Sequence, residues 1–541
     1  MNMLRGGTTR TVGAALAVIA AGAAIAVASR PELNGDVRYV LGGLETAGRG
    51  GVSIWDVFVS RPLAYKLLMA AFAGDAPPLV RIKTYVAVAA VIAVLFLGVR
   101  RFAGRRAAAG IAGATGLALL VVPPWHFLEP DWTAAVAAVL AVGAACAPRP
   151  LWLGATLGGL AAMLVVAVKA STFPVALIAL LVVFVLDRRR AAWTALSTVV
   201  WVGLWYVVSK HFLPWEWIWL SDLASLVHSK PQRIYLGDLR LLRIAIGDAA
   251  VLSPVVVLAP AAAAALVQRE TGRRRWVGAV VAVVALGISL APAYGQSEFF
   301  NYHFASTVVL AAGLWGAAFA LRPGFRLPLV ATTVLVAAVS IVLLRQPASW
   351  RLAHAGPVIG AYEIAAIALA VAAWFVAGRV RVSLPWPAGV IALCLAQIPA
   401  VLPGFPYVFS GYNYTIRVGP TPASPLAGLS ERIGRDTPVL YLTYGTVNHS
   451  MGNPTTCRYP SPLWLQRGAF APRMRLRPSY PDNMLCLTGS LDARYLIVQT
   501  AWFSIPKSAP DVQALIDERF DCSPAARIPS SPTLWVCPAR G

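Results

Sequence analysis

Hydrophobic residues along this chain come in long blocks, with little of the alternation that marks strands. Apolar runs fall at 11–28, 82–99, 107–123, 132–147, 151–168, 174–186, 193–209, 249–267, 276–292, 304–321, 327–344, 357–377 and 386–402. Most approach the roughly 20 residues a helix needs to cross hydrocarbon, so the pattern predicts an α-helical polytopic membrane protein of about 13 transmembrane helices. Residues 174–186 are short for a span, and PLAYKLLMAAFA at 62–73 reads as a helix lying along the membrane surface. Short loops rich in arginine separate alternate runs: Arg100, Arg101, Arg105 and Arg106; Arg188, Arg189 and Arg190; Arg269, Arg273, Arg274 and Arg275; Arg379 and Arg381. Such loops stay on the cytoplasmic side. The N-terminus is therefore expected inside and, the number of spans being odd, residues 403–541 outside the inner (plasma) membrane. The first run, ending AVASR, also fits a cleaved secretory signal. An uncleaved span is expected, and cleavage would leave the other spans oriented as before.

Composition sharpens this picture. Of 541 residues, 58% are hydrophobic and only 13% charged, too few charges for a soluble domain of this length. The net charge of +23 sits largely in the loop clusters between runs rather than on a basic surface, which argues against nucleic-acid binding.

From Pro403 the chain turns polar, which divides it into a transmembrane domain (1–402) and a small exported α/β domain (403–541). In this tail SPLAGLSERIGR and APDVQALIDERF read as helices, and PVLYLTY, ARYLIVQT and PTLWVC as strands. No Gly-x-Gly-x-x-Gly or Walker pattern accompanies the strands, so a nucleotide site is not expected there. The tail holds Cys457, Cys486, Cys522 and Cys537, while Cys146 and Cys394 lie in spans. An even set in an exported domain suggests disulfides rather than metal binding, there being no Cys-x-x-Cys. The pairing cannot be deduced from sequence; Cys522–Cys537 would close a short terminal hairpin and leave Cys457–Cys486.

The expected outer loops concentrate the polar chemistry. The first holds Asp36, Arg38, Tyr39, Glu45, Asp56 and Arg61; PPWHFLEPDW holds His126, Glu129 and Asp131; VKASTFP holds Lys169; AYGQSEFFNYHF holds Glu298, Tyr302 and His303. Singly, each has an ordinary reading: a solvated carboxylate, a span cap, a snorkelling lysine or an aromatic belt. Their coincidence on one side is the sharper signal, because ionisable groups at membrane depth are costly and usually functional. A carboxylate there can take a proton from a hydroxyl, and nearby cations can stabilise a phosphate leaving group. Outside the cytoplasm an activated sugar has to arrive on a lipid. The longer segment at 210–248, with WEWIW, offers aromatic rings to stack on a sugar or prenyl chain, or to anchor at the interface.

Asp36 after the first span, in GDVRYVLGGLETAG, together with FVSRPLAYKLL, HFLEPDW, VKASTFP and EFFNYHF and a polytopic body, resembles the GT-C superfamily of membrane glycosyltransferases. The resemblance covers most of the chain by architecture, with no single diagnostic motif. It implies a polyprenyl-phosphate sugar donor, an extracytoplasmic glycan, lipid or protein acceptor in cell-envelope biosynthesis, and Asp36 as general base. It also implies Lys169, His303 and Arg61 on the donor phosphate, with Arg38, Tyr39, Asp56, His126, Glu129, Asp131, Glu298 and Tyr302 serving the acceptor or supporting these groups. One departure is that many members carry a tight acidic pair in the first loop, whereas Val37 follows Asp36 here; a second carboxylate would have to come from Asp56, Glu129 or Asp131. His126 with Glu129 is too small a set to assign a divalent metal. Abundant Ala, Val, Arg, Gly and Pro hint at a GC-rich, actinobacterial-type genome, which makes arabinose and mannose on decaprenyl-type carriers the sugars to expect. The competing readings are a transporter or flippase, and a non-catalytic assembly partner for an envelope polysaccharide.

Overall fold

The structure, a computed structural model, describes residues 33–123, 125–227, 236–296, 299–376, 384–402, 409, 424–462, 465, 475–490 and 492–540. The first apolar run lies outside these. Every other run falls on a helix. Among the described residues, seven helices are long and apolar enough to cross a membrane, or eight if a bent pair counts as one span. The bent pair, Leu239–Leu252 and Val255–Arg269, turns by 89° around Ser253 and Pro254. Three further apolar helices, Pro130–Cys146, Ala170–Leu186 and Trp386–Val401, are shorter. The chain is thus a multi-pass membrane protein. Two runs share the element Pro77–Leu120, whose two helices meet at Gly104, where φ is 81° and only glycine sits without strain.

Contacts gather the chain into two compact units. One comprises the described parts of Met1–Pro31, Pro78–Gly203 and Ile234–Gly419; the other, those of Glu32–Pro77, Leu204–Arg233 and Pro420–Gly541. The division expected at residue 402 follows the fall in hydrophobicity, whereas the contacts also place the first loop and the WEWIW segment with the tail.

In the helical unit, arginine side chains close helix ends. Arg190 Nη1 and Nη2 donate to Ala145 O and Arg149 O at 2.9 and 2.8 Å, and Arg101 Nη1 donates to Cys146 O at 2.8 Å. The last carbonyls of Pro130–Cys146 therefore meet cations, which the helix dipole favours. Small residues let helices approach closely: a Cβ on Gly143 would stand 2.7 Å from Leu95 N.

In the other unit a three-stranded sheet runs in the order β1 (Val439–Leu442), β2 (Tyr495–Gln499), β3 (Leu534–Pro538); β1 and β2 are parallel, β2 and β3 antiparallel. Both faces are covered, which is why the strands read as unbroken apolar runs. Leu440, Leu442, Leu496 and Val498 pack on one side with Phe58 and Trp219. Val439, Tyr441, Ile497 and Val536 pack on the other with Leu429 and Val447. Trp219 of WEWIW is thus a core residue at 1% exposure, neither a sugar platform nor an interfacial anchor. Disulfides join Cys457 to Cys486 and Cys522 to Cys537, with Cα separations of 4.9 and 4.7 Å.

Helix Leu63–Ala70 departs from the expected surface helix. Leu63, Ala64, Tyr65, Lys66 and Met69 are all buried, and Lys66 Nζ donates both to Glu216 and to Val57 O. Burial pushes the Lys66 ammonium down and the Glu216 carboxyl up, and each charge opposes the other's shift. Lys66→Met would leave Glu216 alone in the core and is expected to cost about 3–5 kcal/mol. Adding Glu216→Leu should return most of that loss, as read by thermal unfolding of the protein in nanodiscs.

Candidate functional site

Asp36 lies in the first turn of helix Gly35–Arg49, where the helix dipole favours a carboxylate. Asn34 caps that turn, its Oδ1 accepting from Asp36 N at 2.7 Å. Both carboxylate oxygens are engaged: Arg61 Nη2 donates to Oδ2 at 3.1 Å, and the Tyr444 hydroxyl donates to Oδ1. The Asp36 and Arg61 side chains remain 30% and 25% exposed, so the pair is open to a ligand. Arg61 is held in turn through Nη1 on Ser60 O at 2.9 Å. Ser60 has φ 54°, an uncommon conformation for a residue with a Cβ, and its Oγ meets the Tyr39 hydroxyl at 2.8 Å. Tyr39 is buried, which raises its phenol above the ordinary value and keeps it protonated.

Tyr39 therefore braces the Ser60–Arg61 turn. Arg38 bears instead on His449. Asp56 is exposed; its main-chain N donates to Ser53 O at 2.9 Å and its main-chain O accepts from Arg458 Nε at 3.3 Å. Tyr444 was not singled out from sequence. It lies two residues beyond the end of β1, and its main-chain N donates to Gln499 Oε1 at 2.9 Å.

In the helical unit a second set assembles from three chain breaks next to helix ends. Asp131 is in the first turn of Pro130–Cys146, behind Pro130 at its start. Lys169 ends Leu151–Val168 in an extended conformation. There Thr172 Oγ1 donates to Val165 O and Lys169 O, both at 2.6 Å. His303 sits on the 3-10 turn Asn301–Phe304. Lys169 Nζ and His303 Nδ1 both meet Asp131 Oδ2, at 2.9 and 3.0 Å. The Asp131 and His303 side chains are almost wholly enclosed, while Lys169 keeps 23% exposure. Lys169 is accordingly the member of this set within reach of an external anion. His303, expected on the phosphate, has its Nδ1 3.0 Å from Asp131 Oδ2.

Tyr302 stacks on Phe300 at 5.5 Å and meets His303 edge-on at 4.3 Å. His126 and Glu129 are both buried and share a turn in which Glu129 N donates to His126 O at 3.0 Å. Between them Leu128 has φ 63°. Among the described residues no three His, Cys, Asp or Glu side chains group to hold a metal ion. Glu298 lies outside the described residues.

No known sequence family and no curated protein sequence matches the chain. Among solved structures, ArnT from Cupriavidus metallidurans in the apo state aligns over 99% of this chain and 98% of its own, with TM-score 0.53 and 15% identity. ArnT bound to undecaprenyl phosphate aligns over 98% of both chains, with TM-score 0.54 and 17% identity. The fold is therefore ArnT-like over nearly the whole chain. An oligosaccharyltransferase from Archaeoglobus fulgidus aligns at TM-score 0.35 and 10% identity over 97% of this chain and 74% of its own, too distant to bear on the fold.

His449, packed in the unit with Asp36, is lowered to about 4 by burial and then by the Arg38 charge. A histidine that resists protonation in the fold gives stability that is present above pH 6.5 and lost as pH falls toward 4. Wild type is expected to lose stability across that window by an amount on the order of 3 kcal/mol. His449→Gln should flatten the profile, as read by melting temperatures at pH 7 and pH 5.

Proposed function

We propose that this chain is a membrane glycosyltransferase that moves a sugar from a polyprenyl-phosphate donor to an extracytoplasmic glycan, lipid or protein acceptor in cell-envelope biosynthesis. The observation that carries the reading is Asp36: a partly open carboxylate, fixed between Arg61 and the Tyr444 hydroxyl, in a fold shared with ArnT over nearly the whole chain. ArnT has been solved with undecaprenyl phosphate, which is what a polyprenyl-phosphate sugar leaves behind once its sugar is transferred.

In the proposed reaction the acceptor hydroxyl oxygen bonds to the anomeric carbon while the bond from that carbon to the phosphate oxygen breaks. Asp36 takes the hydroxyl proton, and the electron pair leaves on the phosphate. A phosphate needs no proton to depart, so one base is enough, in contrast to glycoside hydrolysis with its second carboxyl group. Lys169 is proposed to hold the donor phosphate, with Asp131 and His303 fixing its direction. Arg61 keeps Asp36 in its rotamer and adds positive charge beside it. Arabinose and mannose on a decaprenyl-type carrier are the proposed sugars, with the Arg-rich loops on the cytoplasmic side.

The test uses purified protein in nanodiscs, a panel of polyprenyl-phosphate sugars with candidate acceptors, and detection of free polyprenyl phosphate. Wild type is expected to release it. Asp36→Asn should retain donor binding and lose about 10²-fold or more in turnover. Lys169→Met should instead weaken donor binding. Equal release from wild type and Asp36→Asn would refute Asp36 as base, and no release with any donor would favour a transporter or an assembly partner.

A further inference from the structure

Asp36 holds a hydroxyl of the chain's own, that of Tyr444. The surroundings of that tyrosine resemble a ligand subsite more than an ordinary packing position. Its ring lies between two other aromatic rings, Tyr39 at 5.4 Å and tilted by 39°, and Trp502 at 4.8 Å and edge-on at 62°. Neither Tyr444 nor Trp502 is fully buried. The indole N–H of Trp502 is closed off from solvent and has no hydrogen-bond partner among the described residues, which leaves a donor uncompensated beside the ring.

A six-membered ring flanked by aromatic residues, with one hydroxyl on a carboxylate, matches a pyranose in ring size and in that one hydroxyl contact. A pyranose, however, also carries ring and hydroxyl oxygens able to accept from Trp502 Nε1. The tyrosine main chain is anchored by Gln499, but its contact with Asp36 is made by the side chain alone. A change of side-chain rotamer would release it without disturbing the sheet.

We propose that Tyr444 occupies the acceptor subsite, its ring and hydroxyl standing where a sugar ring and its attacking hydroxyl bind, and that a pyranoside acceptor displaces it. The ligand class is a six-membered sugar ring with a free hydroxyl. The catalytic meaning of the subsite rests on Asp36 being the base; the binding event itself does not. While Tyr444 fills the subsite, the apparent affinity for the sugar falls by the fraction of molecules that are open. Its removal therefore strengthens binding, the opposite of what a tyrosine contributing to sugar recognition would give.

The experiment is saturation-transfer NMR on the full chain in nanodiscs, with methyl pyranosides of gluco, manno and galacto configuration as probes. Tyr444→Ala is expected to bind at least one of them about tenfold more tightly than wild type. Adding Asp36→Ala should remove that gain, and tetrahydropyran, a ring without hydroxyls, should show none. Equal affinity in Tyr444→Ala and wild type, or tighter binding by wild type, would overturn the proposal. Should Tyr444→Ala not fold, Tyr444→Phe decides, since it keeps the ring and loses only the hydroxyl: a smaller gain supports the subsite and no gain refutes it. The readout needs no turnover, so this subsite and the role of Asp36 as base can fail independently.

Discussion

Everything at Asp36 depends on how closely one helix is pressed against the segment after β1. A Cβ on Gly42 would stand 2.4 Å from His449 N, one on Gly445 2.6 Å from the Tyr39 ring, and one on Gly50 2.0 Å from Thr455 O. Contacts of that kind require backbone against backbone, which only glycine permits. The helix bearing Asp36, Arg38 and Tyr39 is thereby fixed against the segment bearing Tyr444 and His449. The partners of the carboxylate follow from that fit. Arg61 reaches it from a turn that Tyr39 itself braces through Ser60, and the turn is tied to the core by the buried Lys66 through Val57 O.

The helical unit works by a related economy. The arginines that mark alternate loops also satisfy the carbonyls at the helix ends they adjoin, as Arg190 and Arg101 do for Pro130–Cys146. The opposite end of that helix begins with Pro130 and Asp131, the carboxylate on which Lys169 and His303 converge. A carboxylate so enclosed is tolerable because two basic groups share one of its oxygens. This leaves Lys169, the most open of the three, preset in direction.

Much of this was legible in the sequence, and the reason differs from element to element. Apolar runs and the arginines between them report on solvent environment residue by residue, so they located the helices without any knowledge of packing. The strands PVLYLTY and ARYLIVQT were readable because a sheet covered on both faces is apolar at every position. Asp36, Arg61, Asp131, Lys169 and His303 stood out because charge beside apolar runs is costly. Tyr444 did not: it lies 408 residues from Asp36, in a segment where one tyrosine among several carries no local signal. Trp219 was misread for a related reason. WEWIW has the composition of an interfacial anchor, and only the tertiary contact with Phe58 makes its last residue core. The same holds for PLAYKLLMAAFA, which reads as a surface helix until Glu216, 150 residues from Lys66, is seen beside that lysine.

The central claim is that Asp36 removes a proton from the attacking hydroxyl. Chemical rescue tests this most directly: Asp36→Ala in nanodiscs, supplied with the polyprenyl-phosphate sugar that wild type uses, is assayed with and without azide, an anionic nucleophile that needs no base. If Asp36 acts as base, azide should restore release of polyprenyl phosphate and yield a glycosyl azide of inverted configuration. A variant that binds donor normally yet forms no glycosyl azide at any azide concentration would contradict that role.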